Sequence, residues 1–217
     1  SLELSDIQRD WLRGQSEELI EGLEFVLIEE NYSPGSENFI SKAIEVLMKN
    51  GDVDLENRLI YDSTLDQDYR NKMSTKERQI FDGMSQFQKS QYLISAQQAW
   101  NYAEAYYKDS FYNGKGDAVR HSFWNALSTV RIGDTLTKSL TDAHEDKPAS
   151  YNYSYKENQM DLYNNSIGIN LAKLSGRLYK LVDNAILNGE LRYLSHLLGG
   201  GNSGRATDLS MLIPTNQ

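Results

Sequence analysis

Apolar residues recur at steps of three and four along most of the chain, the spacing that places them on one face of an α-helix. Two amphipathic segments come first, over residues 6–30 and 36–47, and turn sequences end each of them. Further helices are predicted over residues 75–87, 92–107, 117–132, 134–144, 157–174 and 176–188. No segment shows the alternation typical of a strand. The predicted fold is therefore all-α, a multi-helix orthogonal bundle.

The stretch from Asp52 to Lys72 is acidic and weakly patterned, which predicts a linker or irregular segment. We therefore divide the chain into an N-terminal helical region, residues 1–72, and a helical domain, residues 73–217. A chain of 217 residues is long enough to bury one sizeable core.

The amino-acid composition indicates which kinds of binding partner are disfavoured. The chain is 39% hydrophobic and 24% charged, which is ordinary for a globular protein. Its formal net charge of -9 disfavours nucleic acid and anionic membranes, which repel a surface of that sign. Without cysteine there is no disulfide and no thiolate ligand, and no apolar run reaches the roughly 18 to 20 residues of a membrane span. Because the chain begins at Ser1 rather than Met, we expect a trimmed or mature form.

The predicted helix over residues 117–132 has a polar stripe opposite its apolar face. At about 100° per residue, the stripe spans roughly 140° of arc. Its members are Asp117, Arg120, His121, Trp124, Asn125 and Ser128. Solvated faces favour Glu and Lys, whereas Trp, His and Asn are poor helix formers whose polar tips suit a partly buried site. The stripe therefore predicts a shared site, and the alternative is a solvated face on which Asp117 caps the helix.

Two other segments carry polar groups that need partners. Asp142, Glu145 and Asp146 lie at a predicted helix C-terminus, where the helix dipole disfavours negative charge. One interpretation is that these carboxylates have a cationic partner, which would be a divalent metal, a protonated histidine or an arginine. The alternative is that lysine and solvent screen their charges. On the predicted helix over 157–174, a second stripe holds Asp161, Asn164, Asn165 and Gly168. It predicts either the other half of the site or a hydrogen-bond network that only fixes helix packing.

Together these segments resemble a bacterial domain family of unknown function. The resemblance rests on an RH-x-x-WN signature beginning at Arg120, an AHE signature over 143–145 and an MDL-x-NN-x-x-G signature over 160–168, with 189–194 as a weaker element. It covers about residues 90 to 195. It implies an exported or cell-envelope protein, since the family occurs on exported, lipid-anchored and toxin-like proteins, but it implies no reaction.

The leading hypothesis is a hydrolase, metal-assisted or using histidine as acid and base, that acts on phosphodiesters or phospholipids. Histidine is favoured because it titrates near neutrality. The predicted catalytic residues are His121, His144, Glu145 and Asp161. A divalent metal is predicted on His121, His144 and Asp117. Substrate contacts are predicted for Arg120, Trp124, Asn125, Asn164 and Asn165.

Two alternatives remain open. A carboxylate-based glycan-cleaving enzyme would use Glu145 as its acid, with Asp142 and Asp146 favouring the protonated form as like charges. A non-enzymatic envelope module would use the polar stripes only to lock helices together. His196 lies in an apolar run and is predicted to be a partly buried histidine rather than a ligand.

Overall fold

The computed structural model describes residues 6–13, 63–146, 148 and 150–217. The chain divides into two compact units, residues 1–62 and 63–217. In the first unit the described part is helix α1, Asp6–Arg13. The predicted helix over 36–47 and the rest of the helix over 6–30 lie outside the described residues. The predicted division at residue 72 stays a prediction.

The second unit is built from helices, and the all-α prediction is confirmed. They are α2 Ser63–Lys72, α3 Thr75–Asp82, α4 Gln86–Tyr107, α5 Lys115–Ile132, α6 Asp134–Glu145, α7 Ser154–Leu171 and α8 Leu178–Leu187, with a short 3-10 helix at Lys108–Ser110. None of the described helices combines the length and the apolar character needed to cross a membrane.

Helix α2 corrects the prediction of an irregular segment over residues 63–72. Its sequence has little helical patterning, but its residues are tied to the neighbouring helices. Arg70 Nη1 pairs with Asp82 of α3 at 2.5 Å, and the Arg70 carbonyl accepts a hydrogen bond from Arg78 at 2.6 Å. These tertiary contacts supply the stabilisation that the local pattern lacks.

The helix predicted over 75–87 is also corrected, because it is two helices. α3 ends at Asp82, and Ser85 then caps α4. The cap is reciprocal: Ser85 Oγ accepts from the Gln88 amide at 3.2 Å, and Gln88 Oε1 accepts from the Ser85 amide at 3.1 Å. From there α4 runs unbroken through the segment predicted as a separate helix.

Two short strands were not predicted. β1, Arg192–Leu194, pairs antiparallel with β2, Leu212–Pro214, so that Tyr193 lies opposite Ile213. Three residues are too few to establish an alternating pattern, which is why the sequence did not reveal them.

Helix α5 lies at the centre of the second unit, packed against α4, α6, α7 and α8. The apolar face of α5 consists of Val119, Phe123, Ala126, Leu127 and Val130, and the first four are buried. The fifth, Val130, is 40% exposed because it lies in the last turn, beyond the packed part of the helix. The opposite, polar face is buried too, which places the polar stripe inside the unit.

Candidate metal centre

Three side chains of types that commonly bind metal ions in proteins converge where α5 meets α7. Asp117 lies in the first turn of α5, His121 follows one turn later, and Asp161 comes from α7. His121 Nε2 is 3.6 Å from Asp117 Oδ1 and 3.4 Å from Asp161 Oδ1. One ligand atom from each of the three lies within 4.8 Å of the others. The described part of the chain therefore holds a buried Asp-His-Asp group that could bind a metal ion.

A chain of hydrogen bonds fixes the tautomer of His121. Asn125 Nδ2 donates to the His121 carbonyl at 2.9 Å and to Asn165 Oδ1 at 2.7 Å, while Asn125 Oδ1 accepts from Thr141 at 2.9 Å. Asn165 Oδ1 is therefore the atom that faces His121 Nδ1, at 3.0 Å. Since an amide oxygen only accepts, Nδ1 carries the proton and donates. Nε2 is left with a lone pair directed at the two aspartates.

Asp161 offers an oxygen that the protein does not satisfy. Its Oδ1 is buried, and it accepts no hydrogen bond from any described residue. Glu145 adds another carboxylate nearby, with Oε1 3.7 Å from His121 Nδ1. Buried carboxylate oxygens normally have donors or a cation beside them. The group thus has more hydrogen-bond acceptor atoms than the described side chains have donors for.

The electrostatics of the three residues differ. Burial raises the pKa of Asp117, but the charge and hydrogen bond of Arg120, the His121 imidazole and the Asn113 amide together outweigh burial, so this pKa lies below its ordinary value. Burial, and then the charges of Glu145 and Asp117, hold the pKa of Asp161 well above its usual range. Burial and the Arg120 charge lower the pKa of His121 to about 3. At neutral pH the imidazole is therefore neutral, the form that binds metal ions.

Arg120 brings a positive charge to the Asp-His-Asp group. It pairs with Asp117 Oδ1, and its Nη2 donates to the Nε2 lone pair of His121 at 3.0 Å. One guanidinium thus faces three carboxylates, those of Asp117, Glu145 and Asp161. Its Nε has no acceptor among the described residues. Arg120 also lines the neighbouring cavity, so it joins the two regions.

His144 is not part of the Asp-His-Asp group, although the sequence analysis predicted it as a metal ligand. Its Nδ1 lies 2.7 Å from Glu77 Oε2, and the other oxygen of Glu77 accepts from the Tyr92 hydroxyl at 2.8 Å. The indole of Trp124 contacts both histidines, with ring centroids 5.2 Å from His144 and 6.2 Å from His121. The structure thus places the two histidines in adjoining regions.

Asn164 was predicted to contact substrate, which stays a prediction, and in the structure its side chain bonds to the backbone of Arg192. Its Nδ2 donates to the Arg192 carbonyl at 2.8 Å, and its Oδ1 accepts from the Arg192 amide at 2.9 Å. The side chain therefore ties α7 to β1. Asn164 and Asn165 are consecutive, so they point about 100° apart on the helix, and only Asn165 faces His121.

Two of the three carboxylates at the acidic helix terminus are paired with lysines away from the candidate centre. Asp142 pairs with Lys138 at 2.6 Å, and Asp146 pairs with Lys76. Both aspartates are partly exposed and paired, whereas the glycan-cleaving alternative has them assist Glu145 as like charges, and that alternative stays a prediction. His196 differs from its prediction as well: it is exposed, with a positive φ of 50°, because it lies in a tight turn before the glycines.

A cavity of about 240 Å³ adjoins the candidate centre. Aromatic, basic and acidic side chains form its wall: Tyr69, Lys72, Met73, Glu77, Tyr92, Ala96, Trp100, Arg120, Trp124 and His144. It lies among α2, α3, α4 and α5, with His144 contributed by α6. The polar stripe of α5 is therefore reached from a space that a small molecule could enter.

Sequence reasoning missed most of this wall. Glu77 lies in the first turn of α3, in the position of a helix-capping residue, and Ser74 Oγ accepts from its amide at 3.0 Å. The carboxylate, however, turns inward to His144 and Tyr92. No local signal distinguishes these two uses of a glutamate. Lys72 and Trp100 likewise become neighbours only when α2 packs beside α4.

Comparison with known proteins adds a domain family of unknown function. A family model described as "Domain of unknown function (DUF6973)" matches residues 84–188. The matched segment is similar to that family, and it contains Asp117, His121 and Asp161 but not Glu77 or Lys72. No curated protein and no solved structure matches the chain.

Proposed function

We propose that this protein is a metal-assisted hydrolase whose divalent ion is held by Asp117, His121 and Asp161. One observation carries the proposal: the Nε2 lone pair of His121 is directed at carboxylate oxygens 3.4 and 3.6 Å away. Arg120 donates to two of these three acceptors, Asp117 Oδ1 and His121 Nε2, but no described residue donates to Asp161 Oδ1, so the group would be stabilised by a further cation. Carboxylate and imidazole are suitable ligands for several divalent ions.

Asn165 and Asn125 support this proposal. A metal-binding histidine commonly donates its other ring N–H to a fixed acceptor, which sets the tautomer and the ring orientation. Asn165 Oδ1 is such an acceptor, and Asn125 holds it in place at 2.7 Å. The amide network therefore prepares Nε2 for a cation, whereas ordinary helix packing would not require a particular tautomer.

A divalent ion would activate water and stabilise the negative charge that develops on a phosphoester or other ester. The protein's own groups divide the remaining work. His144, oriented by Glu77 and placed in the cavity wall, would transfer a proton. Arg120 would leave Asp117 when the ion enters and would then bind the developing anion. Phosphodiesters are the first substrates to test.

Asp161→Asn tests the metal centre directly. The substitution keeps the shape of the side chain and replaces a buried carboxyl group whose Oδ1 has no donor among the described residues. We expect folding stability to be unchanged or raised, and Mn²⁺ and Zn²⁺ affinity in calorimetry to fall at least about tenfold. Asp142→Asn is the matched control, since Asp142 is a surface carboxylate paired with Lys138.

Activity is then measured on bis(4-nitrophenyl) phosphate with and without a chelator. Hydrolysis that is lost with the chelator, restored by metal and absent in Asp161→Asn supports the proposal. Equal metal affinity in wild type, Asp161→Asn and Asp142→Asn would overturn the assignment of the ligands. Hydrolysis that the chelator does not affect would overturn metal assistance and favour histidine acid and base chemistry.

A non-enzymatic module is the second candidate, and the position of Arg120 favours it. The guanidinium already neutralises Asp117 and caps His121 Nε2 at 3.0 Å, so the group has an internal cation. On this hypothesis Arg120→Gln would destabilise the fold and would not create metal affinity. On the metal hypothesis the same substitution leaves the site open and raises metal affinity. An exported or envelope location rests on the family resemblance and stays a prediction.

A further inference from the structure

We propose that the cavity beside α5 binds a small oxyanion carried on a single ring, such as an aryl phosphate or an aryl carboxylate. The cavity is bounded by flat aromatic residues, by two cations and by the Glu77–His144 pair. Its hydrogen-bonding groups are unbalanced, with donors that have no acceptor and acceptors that are already used. That imbalance indicates the chemistry of the missing ligand.

The unmatched donors come from three wall residues. Trp124 is 95% buried (5% exposed), and its Nε1 has no acceptor among the described residues. Arg120 Nε is also buried and has no acceptor among the described residues. At the mouth, Lys72 forms no ion pair with any described residue, and its Nζ lies 5.3 Å from the ring centroid of Trp100. A buried N–H without an acceptor is costly, so a ligand whose acceptors reached the Trp124 and Arg120 N–H groups would be stabilised here.

The acceptors of the wall are committed elsewhere. Glu77 is 1% exposed, and its two oxygens face the Tyr92 hydroxyl and His144 Nδ1. The wall therefore has little to offer the N–H groups of a cationic or amide ligand. Arg120 is shared with Asp117, but Lys72 forms no ion pair with a described residue, and the Glu77 carboxylate is engaged by Tyr92 and His144. An anion is favoured over a cation or a neutral amide.

The aromatic wall suits a ring. Tyr69, Tyr92, Trp100 and Trp124 contribute four rings, and the cations lie beside them, with Arg120 Cζ 5.7 Å from the Trp100 centroid. A ring stacked on such a wall buries apolar area while its anionic group remains near the cations. About 240 Å³ is below the usual range of roughly 300 to 1,000 Å³ for larger ligands, which limits the ligand to about one ring.

This inference deepens the proposed function, because an aryl oxyanion resembles one half of a phosphodiester. It rests on that proposal only in treating the ligand as a substrate or product. Binding itself requires neither metal nor turnover, so it is measured with chelator present. A failure of hydrolysis and a failure of oxyanion binding are therefore separate results.

The experiment uses calorimetry and tryptophan fluorescence on the full chain. The Trp11→Phe variant leaves Trp100 and Trp124, the two cavity tryptophans, as the emitters. The probes are phenyl phosphate, benzoate, benzyl alcohol and benzylamine, which share a ring and differ in charge. We expect the two anions to bind and to change the emission. Benzyl alcohol should bind at least about tenfold more weakly, and benzylamine should not bind.

Substitutions then localise the site. Lys72→Met should weaken phenyl phosphate binding about threefold to tenfold, and Trp124→Phe, which keeps a ring but removes the N–H, about tenfold. Lys180→Met is the matched control, because Lys180 also lies over an aromatic ring, that of Tyr179 at 5.9 Å, but outside the cavity wall. We expect it to leave binding unchanged.

Benzyl alcohol binding as tightly as benzoate would overturn the oxyanion preference. Equal affinity of wild type and Lys72→Met for phenyl phosphate would overturn the location, even if Trp124→Phe fails to fold. Anion binding that both cavity substitutions weaken, in a protein that neither binds metal nor hydrolyses esters, would support this inference while the proposed function fails.

Discussion

Replacing Gly168 with alanine should separate α5 from α7 and destabilise the second unit. A Cβ atom at this position would lie 2.1 Å from the Ser122 carbonyl oxygen and 2.8 Å from Asn125 Cβ. Ordinary contacts of this kind begin near 3.4 Å, so the two helices would have to move apart by roughly 1 Å. The obstacle is backbone, which cannot rotate away as a long side chain would.

The expected magnitude follows from opposing terms. Alanine stabilises a helix interior by about 1 kcal/mol relative to glycine. Overpacking against backbone costs about 1 to 3 kcal/mol or more. The displacement also lengthens the bonds that Asn165 makes with His121 (3.0 Å) and Asn125 (2.7 Å), each worth about 1 kcal/mol. We therefore expect a net loss of about 2 to 4 kcal/mol in the free energy of unfolding.

Urea unfolding followed by circular dichroism measures this difference. Gly83→Ala is the matched control, because the nearest atom to its added Cβ is the Ile80 carbonyl oxygen at 3.5 Å, and its φ of -77° suits any residue. We expect this control to lie within about 0.5 kcal/mol of wild type or above it. If Gly168→Ala unfolds at the same urea concentration as wild type or at a higher one, the close approach of α5 and α7 described above is wrong.

Three further predictions concern other parts of the second unit. Glu77→Gln should lower the free energy of unfolding by about 1 to 3 kcal/mol, because the glutamine amide cannot accept hydrogen bonds from both Tyr92 and His144. It should also lower any hydrolysis that depends on His144. Unchanged stability would argue against the buried Glu77–His144 pair. Tyr69 and Tyr151 have pKa values raised to about 12 by burial, so the folded state retains protons that the unfolded state loses from about pH 10. Stability should therefore be constant below about pH 10 and fall as the pH rises toward 12, and a phenolate titration identical to that of the unfolded chain would contradict this. Residues 63–217 should unfold cooperatively as an isolated fragment, whereas a molten fragment would show that the first unit completes its core.

The sequence alone determined most of the described helices of the second unit, though not α2 or the break between α3 and α4, and it determined one half of the candidate centre. Helical periodicity is a local property, since residues three and four apart share a face whatever surrounds them. For that reason the stripe of α5 could be derived in advance, with Asp117 and His121 one turn apart. The need for partners on a second polar stripe was derived in the same way, from the cost of burying amides and carboxylates.

Tertiary structure decided which members of each stripe meet. His144 and Glu145 are neighbours in sequence but point about 100° apart on α6, so Glu145 faces His121 while His144 faces Glu77. Which of two adjacent residues turns toward α5 depends on the rotation of α6 about its own axis, and no local pattern sets that rotation. The same holds for Asp161, which lies beside His121 only because Gly168 lets α7 approach α5 closely. The pairing of β1 with β2 and the cavity wall likewise depend on contacts between segments distant in sequence, which become neighbours only when the whole core packs.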